Sequence, residues 1–115
     1  MTDGPYEERE EALRAIQRLA GAFEDLVVRG LRAAGPSDLG ALQAMGEEFG
    51  RIGAGHLAER IRAVVDAVRA DDPAAAGALL LAQTSLRLFE RILTLEAAGE
   101  ALAALAGGEG EDEDG

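Results

Sequence analysis

Apolar residues recur along this chain at intervals of three and four, the spacing that places side chains on one face of an α-helix. Four segments carry it. In the first, Leu13, Ile16, Ala20, Phe23, Val27, Gly30 and Ala34 form a seam that Leu19, Leu26 and Leu31 widen. The pattern predicts a helix from Pro5 to Ala34. A proline opens it where no N–H is needed, Glu7 and Glu8 sit at the positive end of its dipole, and Gly35-Pro36 closes it. The second helix follows Ser37, read as its N-cap, with a stripe of Leu39, Leu42, Met45, Phe49 and Ile52. It is expected to fray or stop between Gly50 and Gly55, because each glycine inside a helix costs about 1 kcal/mol relative to alanine. The third, from about His56 to Ala70, has the cleanest stripe: Leu57, Ile61, Val64, Val65 and Val68. Asp71-Asp72-Pro73 then stops one helix and starts the next, which runs to about Leu105 and ends at Gly107-Gly108. Its first half, Ala74 to Ala82, is apolar nearly all round, which suits the centre of a bundle. No segment alternates with the period of two that a strand requires.

These lengths predict an all-α fold, a lopsided up-down bundle of two long helices and a shorter helical hairpin. Residues 1–107 form its single domain, and residues 108–115 are expected to be a disordered acidic tail. The short pair can cover only part of the long pair, so part of the long helices' apolar seam is left without a partner in the chain. If the long helices run antiparallel, Leu13 and Ile16 near the start of the first lie near Leu102 and Leu105 near the end of the last. These four residues are the candidate interface. Arg87 and Arg91, one turn apart, are the second-choice polar contact, with intrachain pairing to acidic neighbours as the plainer reading.

Composition narrows the chemistry. The chain has 115 residues and no Cys, Lys, Asn or Trp; every basic side chain is Arg. There is therefore no disulfide, thiolate or cysteine metal site, no Schiff-base lysine and no phosphate-loop lysine. The net charge of −11 lies mostly at the ends, on Glu7, Glu8, Glu10 and Glu11 and on Glu109, Glu111, Asp112, Glu113 and Asp114. Nucleic-acid binding needs a basic face, and none is present. The first residues are acidic rather than those of a signal peptide, and no apolar run is long enough to span a bilayer. A cytoplasmic location without membrane contact is expected.

Individual motifs add little. His56 is the only histidine, and His56-x-x-Glu59 alone cannot supply a dimetal bundle site. Gly50-Arg51-Ile52-Gly53-Ala54-Gly55 precedes a helix, but its spacing is neither nucleotide fingerprint and no strand leads into it, so it reads as an inter-helix turn. Ser37 reads as a cap, while Thr84 and Ser85 lie in mid-helix without a nearby base. No catalytic residue, cofactor site or metal site is assigned, and no enzyme activity is expected. The sequence reads as a small α-helical protein–protein interaction module, an adaptor or accessory subunit that dimerises or docks on another protein. The alternative is a helical bundle that encloses a small apolar ligand between the third and fourth helices.

Overall fold

The computed structural model describes the backbone of residues 5–114 and the side chains of residues 7–107. Four helices pack together: α1 Pro5–Arg29, α2 Pro36–Ile52, α3 Gly55–Arg69 and α4 Ala75–Asp114, with a short 3-10 turn, Leu31–Ala33, between α1 and α2. No strand occurs among the described residues. The molecule measures 66 × 28 × 21 Å. Its long dimension follows from α4, whose 40 residues at about 1.5 Å each give about 60 Å. α4 continues through Gly107-Gly108, where it was expected to stop, to Asp114; the side chains of the expected disordered acidic tail, residues 108–115, lie outside the described residues.

Each junction has a local cause. Gly30 takes φ 92°, a region closed to ordinary side chains, and so α1 ends there rather than at Ala34. The chain then turns through Leu31–Ala33 into Gly35, whose N–H donates to the Asp38 carboxylate at 3.0 Å. Gly35, not Ser37, is thus the N-cap of α2, with Pro36 in the first helical position. The glycines of α2 do not fray it before Ile52. Gly53 at φ 101° closes it, with Gly53 N–H bonded to the Gly50 carbonyl and Ala54 N–H to that of Phe49. That pair of bonds is a Schellman motif. The same motif ends α3, where Asp71 N–H reaches Val68 O and Asp72 N–H reaches Ala67 O. Here the left-handed position is held by a non-glycine residue, Asp71 at φ 53°. The Asp72 carboxylate then accepts the N–H of Ala74 and starts the turn into α4.

The core is made where α3 meets α2 on one side and α4 on the other. Leu57, Ile61, Val64 and Val65 of α3 are fully enclosed, together with Leu19 and Phe23 of α1 and Phe49 of α2. Phe49 meets Phe89 of α4 edge to face, with ring centroids 5.9 Å apart. The missing side chain of Gly46 lets α2 approach α3 closely: a Cβ there would stand 3.1 Å from Cγ2 of Ile61.

Two expectations about which faces are buried change as well. The buried face of α1 is Ala12, Ala15, Ile16, Leu19, Phe23 and Leu26, while Leu13, Ala20 and Val27 of the expected seam are exposed. Both sets obey helical spacing. The buried one replaces Leu13 and Val27 with the bulkier pair Leu19 and Leu26 and buries Ala12 and Ala15 beside them. Likewise α4 is not the centre of the bundle. Leu79, Ala82 and Leu86 face inward, but Leu80 and Leu81 of its all-apolar first half are open to solvent. The central position belongs to α3.

Candidate interaction surface

The side of α4 turned away from the core carries Leu81, Leu88, Leu95 and Leu102, exposed by 50%, 56%, 64% and 67%. They recur every seven residues. Seven residues make nearly two turns, so the four leucines share a stripe about 32 Å long that winds by only about 20° per repeat. Ile92 lies on the same stripe and is also half exposed, whereas Leu105 stands at its edge. The core-facing residues Leu79, Ala82, Leu86, Phe89 and Leu93 occupy the opposite side. The apolar character of α4 thus divides into two faces, one packed on α1 and α3 and one unpartnered. From Ala98 to Gly107 every residue is exposed, so the helix projects beyond the body that packs against its first half.

Polar groups border the stripe. Arg91 flanks it on one side and Glu96 on the other, and both are exposed. Arg87 and Arg91 form no ion pair with any of the described residues; intrachain pairing, the plainer reading of these arginines, is not seen there. The ion pairs that do form lie elsewhere. Arg9 pairs with Glu100 and ties the start of α1 to α4, and Arg18 reaches both carboxylate oxygens of Glu48 on α2 at 2.8 Å. Arg29 bridges Asp25 at 2.7 Å and Asp38 at 3.3 Å across the α1–α2 corner. The bond from Gly35 N–H and the Arg29 guanidinium hold the Asp38 carboxyl below its ordinary range, and both carboxylates hold the Arg29 guanidinium above its own.

The four residues expected to form one interface do not meet as one patch. Ile16 is only 3% exposed and belongs to the core beside Leu19 and Phe23, so it has no surface to offer a partner. Leu13 is 36% exposed on α1. Leu102 and Leu105 are exposed on α4, but the Arg9–Glu100 pair fixes which side of α4 faces α1. Leu102, two residues beyond Glu100, is turned by about 200° and looks away from α1. Leu81, Leu88 and Leu95 were missed by the sequence reading. The signal for them was the seven-residue spacing itself, hidden in a helix apolar over most of its circumference.

The remaining candidates do not assemble into a site. His56 and Glu59 are exposed at the start of α3, and no group of three or more potential metal ligands converges among the described residues. The glycine-rich segment is the C-terminal cap of α2. Thr84 and Thr94 donate their hydroxyls to the carbonyls of Leu80 and Glu90 one turn earlier. Between α3 and α4, where an enclosed apolar ligand was considered, Val64, Val65 and Ala82 are buried in the common core. An open cleft of about 730 Å³ lies where the end of α3 turns into α4, bordered by Leu31, Arg32, Val68, Asp72 and Ala76, and a smaller groove of about 230 Å³ lies between α2 and α3, bordered by Gln43, Arg62 and Arg69. No described helix is long and apolar enough to cross a membrane. Comparison with protein-family models, curated proteins and solved structures finds no match to the chain.

Proposed function

We propose that this protein is a helical interaction module whose working surface is the outward face of α4. The observation that carries this reading is the run of Leu81, Leu88, Leu95 and Leu102, each at least half exposed on a helix that outreaches its own bundle. An isolated exposed leucine is ordinary, but a continuous apolar stripe of this length costs solvation free energy unless a partner covers it. Interior packing supports a binding role over a catalytic one, since the polar side chains are spread over the surface in pairs and caps rather than gathered in a cleft. The accessory or adaptor role expected from the sequence fits this surface.

The test is position-resolved crosslinking in the cell of origin. A photoreactive amino acid in place of Leu88 or Leu95 should give protein adducts. The same substitution at Glu59, on the exposed side of α3, should give few. Absence of adducts at both stripe positions would overturn the reading.

A further inference from the structure

We propose that the partner covering the stripe is a second copy of this chain, joined through α4 in a parallel two-stranded coiled coil. This rests on the reading of α4 as the interaction surface and identifies its occupant.

The register comes from the leucines. With Leu81, Leu88, Leu95 and Leu102 at the d positions of a heptad, the a positions between them are Ser85, Ile92 and Gly99, followed by Ala106. Leucine at d with a β-branched residue at a is the combination that favours two parallel strands. Ile92 is the one large a residue, and it is half exposed at the middle of the stripe. Gly99 and Ala106 are small, so the two helices can approach closely toward their projecting ends. Ser85 is buried within its own bundle, and the seam therefore gathers strength from Leu88 onward.

Charge selects both the partner and the direction. In a parallel pair, each g residue faces the e residue five positions later on the other helix. Arg91 is a g residue and Glu96 is the e residue five positions on. A two-fold axis along the seam would bring Arg91 of each copy to Glu96 of the other, giving two equivalent ion pairs around Ile92 and Leu95. Neither side chain has an ion-pair partner among the described residues. In an antiparallel pair, g residues face g residues and e residues face e residues. Arg91 then approaches Arg91 or Ala98 instead of a carboxylate. The same surface is thus complementary to itself in one direction only.

The seam is narrow. A stripe of about 32 Å by about 10 Å offers about 320 Å² per copy, roughly half of what each partner gives at the lower end of stable protein interfaces. The dimer should accordingly dissociate on dilution, with a Kd in the micromolar range.

The experiment is sedimentation equilibrium of the full chain over a dilution series, with circular dichroism to verify that each variant keeps its helices. Wild type should shift from monomer to dimer with concentration. Leu88→Glu combined with Leu95→Glu should remain monomeric. Arg91→Glu alone sets two carboxylates against each other on each flank and should weaken the dimer about three- to tenfold; adding Glu96→Arg should restore it. Direction is read by Gly99→Cys. The chain has no other cysteine, and a Cβ at Gly99 meets nothing within 4 Å. In a parallel dimer the two introduced thiols face each other across the seam, and mild oxidation should link the copies. In an antiparallel dimer they lie far apart. A dimer that does not crosslink at this position, or that ignores both charge reversals, overturns the parallel pairing. A chain monomeric at all concentrations overturns the second copy as occupant, while adducts of other mass from Leu88 and Leu95 in the cell would leave the interaction surface standing. A dimer unaffected by the paired leucine replacements overturns both.

Discussion

Ile61 and Gly46 offer the sharpest test of how α2 and α3 are held together. Ile61 is fully enclosed, and Gly46 gives it the space it occupies: a Cβ on Gly46 would press on Ile61 Cγ2 at 3.1 Å. Ile61→Ala removes that methyl and the rest of the branched chain from a packed interior, which should cost roughly 2–5 kcal/mol. Gly46→Ala by itself should change stability little. The helix gains about 1 kcal/mol from replacing glycine, and the crowding at Ile61 offsets it. With Ile61→Ala already in place the crowding atom is gone, and the nearest remaining contact, to the β-carbon at 3.4 Å, is close to ordinary packing. Gly46→Ala should then stabilise by about 1–2 kcal/mol, from helix propensity and partial filling of the cavity. The double-mutant cycle is read from urea unfolding followed by circular dichroism, at one fixed and low protein concentration so that association does not enter. If Gly46→Ala has the same effect in both backgrounds, the two helices do not meet at this pair and the packing described for α2 and α3 is wrong.

Two further substitutions probe the junctions. Asp71 ends α3 in a left-handed conformation, φ 53°, that glycine adopts without strain, so Asp71→Gly should raise stability by roughly 0.5–1 kcal/mol; a loss in urea unfolding would refute the strain argument. Asp38 links α1 to α2 as a carboxylate held below its ordinary range by Gly35 N–H and Arg29, so its folded pKa is lower than its unfolded one. Its stabilising effect is complete above the unfolded carboxylate range, near pH 4, and disappears as pH falls through the lower folded value. The difference in Tm between wild type and Asp38→Asn should therefore be constant near neutral pH and shrink in acid, and a difference that grows as pH falls would contradict that assignment.

The fold was legible wherever one apolar set had no rival. In α3 the stripe of Leu57, Ile61, Val64, Val65 and Val68 is separated from Arg60, Arg62 and Asp66; the first four are buried as the spacing predicts, and Val68 is half-buried against them. In α1 two sets obey the same spacing, and periodicity alone cannot choose between them. The choice fell to volume and to the neighbours each side chain meets, which is tertiary information. Leu13 and Val27 lost that choice and are exposed, whereas Ile16 belongs to both sets; it was read as free to meet a partner because the short helices were not expected to reach it, and it lies instead in the core. The helix ends show the same limit at smaller scale. Glycine and aspartate marked every junction, but which of Gly30, Gly35 and Ser37 would turn, cap or enter a helix depended on backbone angles and on the reach of Asp38.

The candidate interaction surface was half legible, and the reason is physical. Length comparison said that a long helix would outrun the short pair, and Leu102 and Leu105 do stand on the projecting part of α4. It could not say which side of that helix would be open, because α4 is apolar on nearly every side through Ala82 and mixed thereafter. Its core face, Leu79, Ala82, Leu86, Phe89 and Leu93, and its open face, Leu81, Leu88, Ile92, Leu95 and Leu102, recur at the same three-, four- and seven-residue intervals, so spacing alone could not tell one from the other. A helix that serves only its own bundle needs one such stripe, flanked by polar residues. On the reading proposed above, the second stripe on the far side of α4 is what a helix carries when it belongs to two interfaces at once. Arg91 and Glu96 beside that stripe then need not serve the monomer's stability: their spacing matches the step from one helix to another rather than the i to i+4 step along a single helix.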